Sequence, residues 1–107
     1  MEEKKIAIVT GASRGIGRAT AVELAGCGYY VVINYNSSEA SAKETLNQVE
    51  AAGSAGEIKK FDVGNAGEVK EAMGQIIETH KRIDVLVNNA GVTADGLFMM
   101  MGDEEWH

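Results

Sequence analysis

Short apolar runs alternate along the chain with longer amphipathic stretches. Ile6-Ala7-Ile8-Val9 is a continuous apolar run, the pattern of a strand covered on both faces. Gly17, Ala21, Leu24, Ala25 and Gly28 follow at i, i+4, i+7, i+8 and i+11, which makes one stripe of a helix that Gly28 ends. Tyr29 to Asn34 is a second β-rich run. Ser37 or Ser38 can cap the next helix, with Ala42, Leu46 and Val49 on its inner face and Gly53 as its stop. Glu57 to Phe61 is a weaker third strand. Asn65 caps a third helix in this reading, and Glu68 completes a capping-box-like pair. Its apolar stripe is Val69, Ala72, Met73, Ile76, Ile77 and His80, interrupted by Gly74 at a cost of about 1 kcal/mol against Ala. Ile83 to Val87 is a fourth strand, apolar except for Asp84. Asn88 to His107 has no clear period, and Asp103-Glu104-Glu105-Trp106 reads as the first turn of a helix. The order β-α-β-α-β-α-β predicts an α/β fold with a parallel sheet flanked by helices.

Composition narrows the class. One domain, residues 1–107, is expected at this length. Hydrophobic content of 45% and charged content of 24% exclude whole-chain disorder. A net charge of −6 without a long Lys/Arg cluster argues against a nucleic-acid partner. Cys27 is the single cysteine, so neither an internal disulfide nor a Cys-rich zinc site is possible, and no metal site is expected. The apolar run after Met1-Glu2-Glu3-Lys4-Lys5 is too short for a signal peptide, and no stretch is long enough to span a membrane. The expectation is a reducing, cytoplasmic home. Thirteen glycines with no proline point to several tight strand–helix turns.

The chief chemical signal is Thr10-Gly11-Ala12-Ser13-Arg14-Gly15-Ile16-Gly17, between the first strand and the first helix. Binding a pyrophosphate needs backbone without intervening side chains and a helix N-terminus with free N–H groups. Gly11 permits the turn, while Gly15 and Gly17 permit close approach and close helix–strand packing. Glycine-rich turns also occur for structural reasons alone; the strand–turn–helix context favours a nucleotide. NAD-selective sites place Asp or Glu at the end of the second strand to accept from the ribose 2′-OH. Here that place reads Asn34-Tyr35-Asn36. Arg14 sits where a 2′-phosphate could be held bidentately, which favours NADP(H) over NAD(H), although an exposed loop Arg is also an ordinary surface residue. Asn88-Asn89-Ala90-Gly91 follows the fourth strand on the same carboxyl edge, either as ribose-side ligands or as a plain Asn/Gly turn.

Together these motifs resemble the short-chain dehydrogenase/reductase family. Its T-G-x-x-x-G-x-G pattern matches Thr10 to Gly17, and its N-N-A-G pattern matches Asn88 to Gly91. Asp62-Val63 matches the acidic–apolar pair that the family sets beside the adenine. Thr10 to Gly17, Gly91 to Met101 and Asp103 to Trp106 are similar to the 3-oxoacyl-[acyl-carrier-protein] reductase branch, with acetoacetyl-CoA reductases still open. The resemblance implies the N-terminal half of a Rossmann-type doubly wound sheet, strand order 3-2-1-4. The right-handed crossover rule then puts the first two helices on one face and the third on the other. It also implies NADP-binding residues at Gly11, Ser13, Arg14, Gly15, Ile16, Gly17, Asn34, Asn36, Asp62, Val63, Asn88, Ala90 and Gly91. The activity implied is reduction of a 3-oxoacyl thioester by hydride transfer, as in fatty acid biosynthesis.

The family's chemistry uses a Tyr-x-x-x-Lys pair with a nearby Ser and Asn, all beyond the N-N-A-G segment. This chain ends sixteen residues past Gly91. Four residues after Tyr29, Tyr30 and Tyr35 stand Ile33, Asn34 and Glu39, so no catalytic residue is carried over. His80 reads as a packed or partly exposed helix residue, Ser13 lacks a triad and reads as a phosphate or turn ligand, and Cys27 at a helix C-terminus lacks an activating setting. The expectation is a truncated chain that binds nucleotide without turnover; the acyl thioester belongs to a full-length relative. The alternative is a non-catalytic α/β module that self-associates. A homo-oligomer is expected in either case, because Ile83 to Val87 would be an uncovered edge and Leu97 to Met101 an apolar patch.

Overall fold

Strands that are apolar on both sides need two helical layers, and the chain supplies them. The computed structural model describes residues 4–89. Strands β1 (Ile6–Val9), β2 (Tyr30–Tyr35), β3 (Gly56–Lys60) and β4 (Val85–Val87) alternate with helices α1 (Gly15–Gly26), α2 (Glu39–Ala51) and α3 (Ala66–His80). The sheet runs β3-β2-β1-β4 and every pairing is parallel, with Val9 opposite Ile33 on one side and Val87 on the other.

The two-residue period of the strands sorts the core into two clusters. Val9, Val31, Ile33 and Tyr35 pack with Ala21 and Ala25 of α1 and Ala42 and Val49 of α2. Ile6, Ile8, Val32 and Phe61 pack with Val69, Ala72, Met73 and Ile76 of α3. The first two helices therefore cover one face and the third the other, as the crossover rule requires. Burying each large aliphatic side chain contributes about 1.5–3 kcal/mol.

Element boundaries differ from the sequence reading for local reasons. β2 begins at Tyr30, because Tyr29 N–H still bonds Leu24 O in the α1 C-terminal turn, and it runs on through Tyr35. β3 begins at Gly56, where an added Cβ would lie 2.3 Å from Val31 O; a glycine that looks like a strand breaker allows the strands to close. β4 is shorter than the apolar run, at Val85–Val87. Just before it, the Asp84 carboxylate rather than a backbone carbonyl takes the Ile6 N–H, at 2.8 Å. Ser38 is the α2 cap, accepting from Ser41 N. Asn65 caps α3 by accepting from Glu68 N at 3.0 Å. The reciprocal half of a capping box is replaced: Glu68 Oε1 takes the N–H of Asp62, not that of Asn65.

Candidate functional site

All four strands end on one edge, and the loop 10–14 runs along it before α1 starts at Gly15. The backbone of the loop's first half is turned inward by specific partners. Gly11 N donates to Asn34 Oδ1 at 3.0 Å, and Ala12 N donates to Asn34 O at 2.9 Å. Gly11 O accepts from Asn89 Nδ2 at 3.2 Å. Thr10 Oγ1 accepts from Asn89 N at 2.8 Å and lies 3.4 Å from Asn88 Oδ1. The β1 and β4 ends are thereby sewn together.

Gly11 and Gly15 have φ of +60° and +65°, a region that disfavours side chains. Gly17 is required by contact instead. A Cβ there would sit 2.2 Å from Gly11 O and 2.6 Å from Asn89 Nδ2. The two motifs read separately in the sequence thus meet at Gly17.

The second half of the loop faces outward. Arg14 is the α1 N-cap residue and its side chain makes no capping bond; no acidic residue stands in the first turn. The first N–H groups of a helix have no intrahelical acceptor, and with the positive end of the dipole they favour an anion. Arg14, Gly15 and Ile16 are exposed, and Ile16, at 77% exposure, is the one exposed large hydrophobic among the described residues.

Asn34, placed beside the ribose by the sequence reading, is only 2% exposed. Its Oδ1 holds Gly11 and its Nδ2 donates to Phe61 O at 2.9 Å, so it fixes the loop against the β3 end. Asn36 is exposed just after β2, with no carboxylate at that strand end. Asp62 and Val63 follow β3 on the same edge; Asp62 Oδ1 accepts from Gly64 N, and Val63 packs against the α3 core. Ser13 is half-buried; its carbonyl accepts from Arg18 at 2.7 Å and lies 3.2 Å from Thr45 Oγ1. Asn88 is half-buried beside Thr10; Ala90 and Gly91 lie outside the described residues. Asn89 was read only as part of the Asn-Asn-Ala-Gly motif and not as a partner of the glycine loop, and Arg18 and Thr45 were not among the residues singled out by sequence. A polar Thr45 within the apolar stripe Ala42, Leu46, Val49 was the available signal for one of them.

Among the described residues no group of three or more His, Cys, Asp or Glu side chains could hold a metal ion, and no helix is long and apolar enough to cross a membrane.

An open parallel sheet with a glycine loop leading into a helix N-terminus at its carboxyl edge defines a nucleotide-binding type of α/β domain. The chain belongs to the short-chain dehydrogenase family, whose profile matches residues 5–107. It is 42% identical over 106 residues to the 3-oxoacyl-[acyl-carrier-protein] reductase FabG of Staphylococcus aureus, a match covering 99% of this chain and 43% of that one. It is 40% identical over 89 residues to the short-chain dehydrogenase/reductase homolog YusS of Bacillus subtilis, covering 83% of this chain and 82% of that one. A crystal structure of a metagenomic short-chain oxidoreductase in complex with NADP matches with a TM-score of 0.79 at 36% identity, covering 84% of this chain and 40% of that one. The chain therefore spans less than half the length of the FabG reductases it matches.

Proposed function

We propose that this chain is the nucleotide-binding part of a cytoplasmic NADP(H)-dependent short-chain reductase acting on 3-oxoacyl thioesters. The observation that carries the reading is the join at Gly17. Both family motifs converge there to turn Gly11 inward and leave the α1 N-terminus open. The identity to FabG reductases over nearly the whole chain supports the substrate class.

The residues fit the cofactor. Gly15, Ile16 and Gly17 offer backbone N–H groups and a dipole end to a pyrophosphate. Arg14 offers a guanidinium to a 2′-phosphate where Asn36 offers no competing carboxylate. In this reading Asp62 and Val63 take the adenine side and Asn88 the ribose next to nicotinamide, a role the family pattern extends to Ala90 and Gly91, which lie outside the described residues. When bound, NADPH supplies the hydride. The chain's own residues bind and orient, and Tyr29, Tyr30 and Tyr35 lack the Lys partner that would make one of them a proton donor. NADPH fluorescence on mixing tests binding, and an acetoacetyl thioester then tests turnover. Binding without turnover is expected of the 107-residue chain. Absence of binding overturns the reading.

A second reading is a non-catalytic module that self-associates; YusS, matched over 82% of its length, is a relative of comparable span. The module's contact surface would be β4, which pairs only with β1 among the described residues. Sedimentation at several concentrations tests it: this reading expects a dimer, and a persistent monomer rejects it.

A further inference from the structure

We propose that Thr45 of helix α2 and Arg18 of helix α1 together grip the carbonyls of the glycine loop, and that this grip sets the preference for the 2′-phosphorylated nucleotide. The inference rests on the nucleotide reading above and adds two positioning residues to it. Thr45 is fully buried on the inner face of α2. Its Oγ1 donates to Ala12 O at 2.8 Å and lies 3.2 Å from Ser13 O and 3.3 Å from Ser41 O. Arg18, on α1, donates from Nε to the same Oγ1 at 2.9 Å. From a terminal nitrogen it donates to Ser13 O at 2.7 Å and to Ser41 O at 3.0 Å. A hydroxyl has one proton to give. With Arg18 on its lone pair, Thr45 directs that proton to Ala12 O, and a cationic donor behind a hydroxyl strengthens the bond the hydroxyl makes. Arg18 takes the next carbonyl, that of Ser13, itself.

Peptide planarity carries this grip to the outer surface. In a trans peptide the C=O of one residue and the N–H of the next point in opposite directions, and no peptide bond here is cis. Pulling the Ala12 and Ser13 carbonyls toward α2 therefore turns the N–H groups of Ser13 and Arg14 away from it. Neither N–H has an acceptor among the described residues. Both belong to the stretch just after Ala12, which is tied to β2 through Asn34 O. That strand end is where the ribose 2′ position is read. Two outward amides on the residues that carry and precede the exposed Arg14 guanidinium fit a phosphate dianion, and the β2 end offers no carboxylate to take a ribose hydroxyl's proton in its place.

The test measures dissociation constants of NADP+ and NAD+ calorimetrically for the 107-residue chain and for Thr45→Val, Thr45→Ser and Arg18→Met. Val keeps the shape of Thr and removes the hydroxyl; Ser keeps the hydroxyl. Thr45→Val is expected to weaken NADP+ about tenfold, with NAD+ changed less than about twofold, so the preference shrinks by about that factor. Thr45→Ser is expected to retain the preference, and half-buried Arg18→Met to lose it even where Thr45→Val fails to fold. An unchanged ratio in Thr45→Val and Arg18→Met, or equal losses on both nucleotides, overturns the inference and leaves the nucleotide reading intact. A parent chain that binds neither nucleotide overturns that reading and this inference with it.

Discussion

The two ends of the sheet use polar side chains in opposite ways. At the carboxyl end, Asn34, Thr45, Arg18 and Asn89 each bond backbone groups of residues 11–13, and none of these four side chains forms an ion pair. At the amino end, side chains bond one another. Tyr30 Oη donates to Glu57 Oε1 at 2.9 Å, His80 Nε2 meets the same oxygen at 3.0 Å, and the Tyr30 and His80 rings lie tilted at 48° with centroids 4.7 Å apart. Arg82 grips Asp84 with two bonds of 2.8 Å. A network closed on itself ties α3 and β4 to the sheet. A network that closes only on the inner side of a loop leaves the outer side's N–H groups for a ligand. The amino-end arrangement serves stability; in the function proposed above, the carboxyl-end one gives up local satisfaction to make a site.

Substitutions at the carboxyl end should break function and fold together, and Gly17→Ala is the severest. Its Cβ meets backbone at 2.2 Å, so the loop must move, at a cost of about 3 kcal/mol with loss of nucleotide binding. Denaturant unfolding and calorimetry check both. Asn34→Ala comes next. It strands the Gly11 N–H and the Phe61 carbonyl in a buried place and should cost about 2 kcal/mol in the same unfolding assay.

Substitutions at the amino end should change stability and its pH dependence without touching nucleotide affinity. Burial, and then the hydrogen bond to the Glu57 carboxylate and its charge, push the Tyr30 phenol well above its usual value of 10.0. A raised folded-state value means that the contribution is full below pH 10 and is lost as pH rises beyond it. Tyr30→Phe should cost about 1 kcal/mol at neutral pH, and its stability should fall less than the parent's above pH 10. A parent and variant that lose stability in parallel above that pH would contradict this. The smallest effect is at Asp84, where the bonds from Arg82, and then the one from Ile6 N–H, hold the carboxyl below its usual value of 3.8. A lowered folded-state value gives a contribution that is present above pH 3.8 and lost as pH falls further. Acid unfolding of Asp84→Asn should show a shallower slope there, an effect kept small by exposure and salt screening.

The same contrast explains what the sequence made legible. The parallel sheet followed from β-α alternation, its strand order from the family resemblance, and the helix sides from crossover handedness applied to that order. Glycines in the loop were legible because their absence of side chain is itself the signal. Pairings across 23 to 79 residues were not: Asn34 with Gly11 and Thr10 with Asn89 depend on where strand ends meet in space. Asn34 read as a ribose neighbour because its strand-end position is right; packing turns its amide inward. Glu68 matched the capping-box spacing, yet its side chain reaches the backbone at Asp62, a turn earlier in the chain. His80 was expected to be a packed or partly exposed helix residue and packs on Tyr30, but its pairing with Glu57 needed the β3 register to appear.

The central claim is that the outward side of the loop binds a 2′-phosphorylated dinucleotide. Calorimetric titration of the 107-residue chain with NADP+ and NAD+, repeated on Arg14→Ala, tests it most directly. A charge-assisted contact contributes about 1.5–3 kcal/mol, so NADP+ should bind roughly tenfold to a hundredfold more tightly, and Arg14→Ala should erase most of that difference. Equal dissociation constants for the two nucleotides in the parent chain would contradict the account.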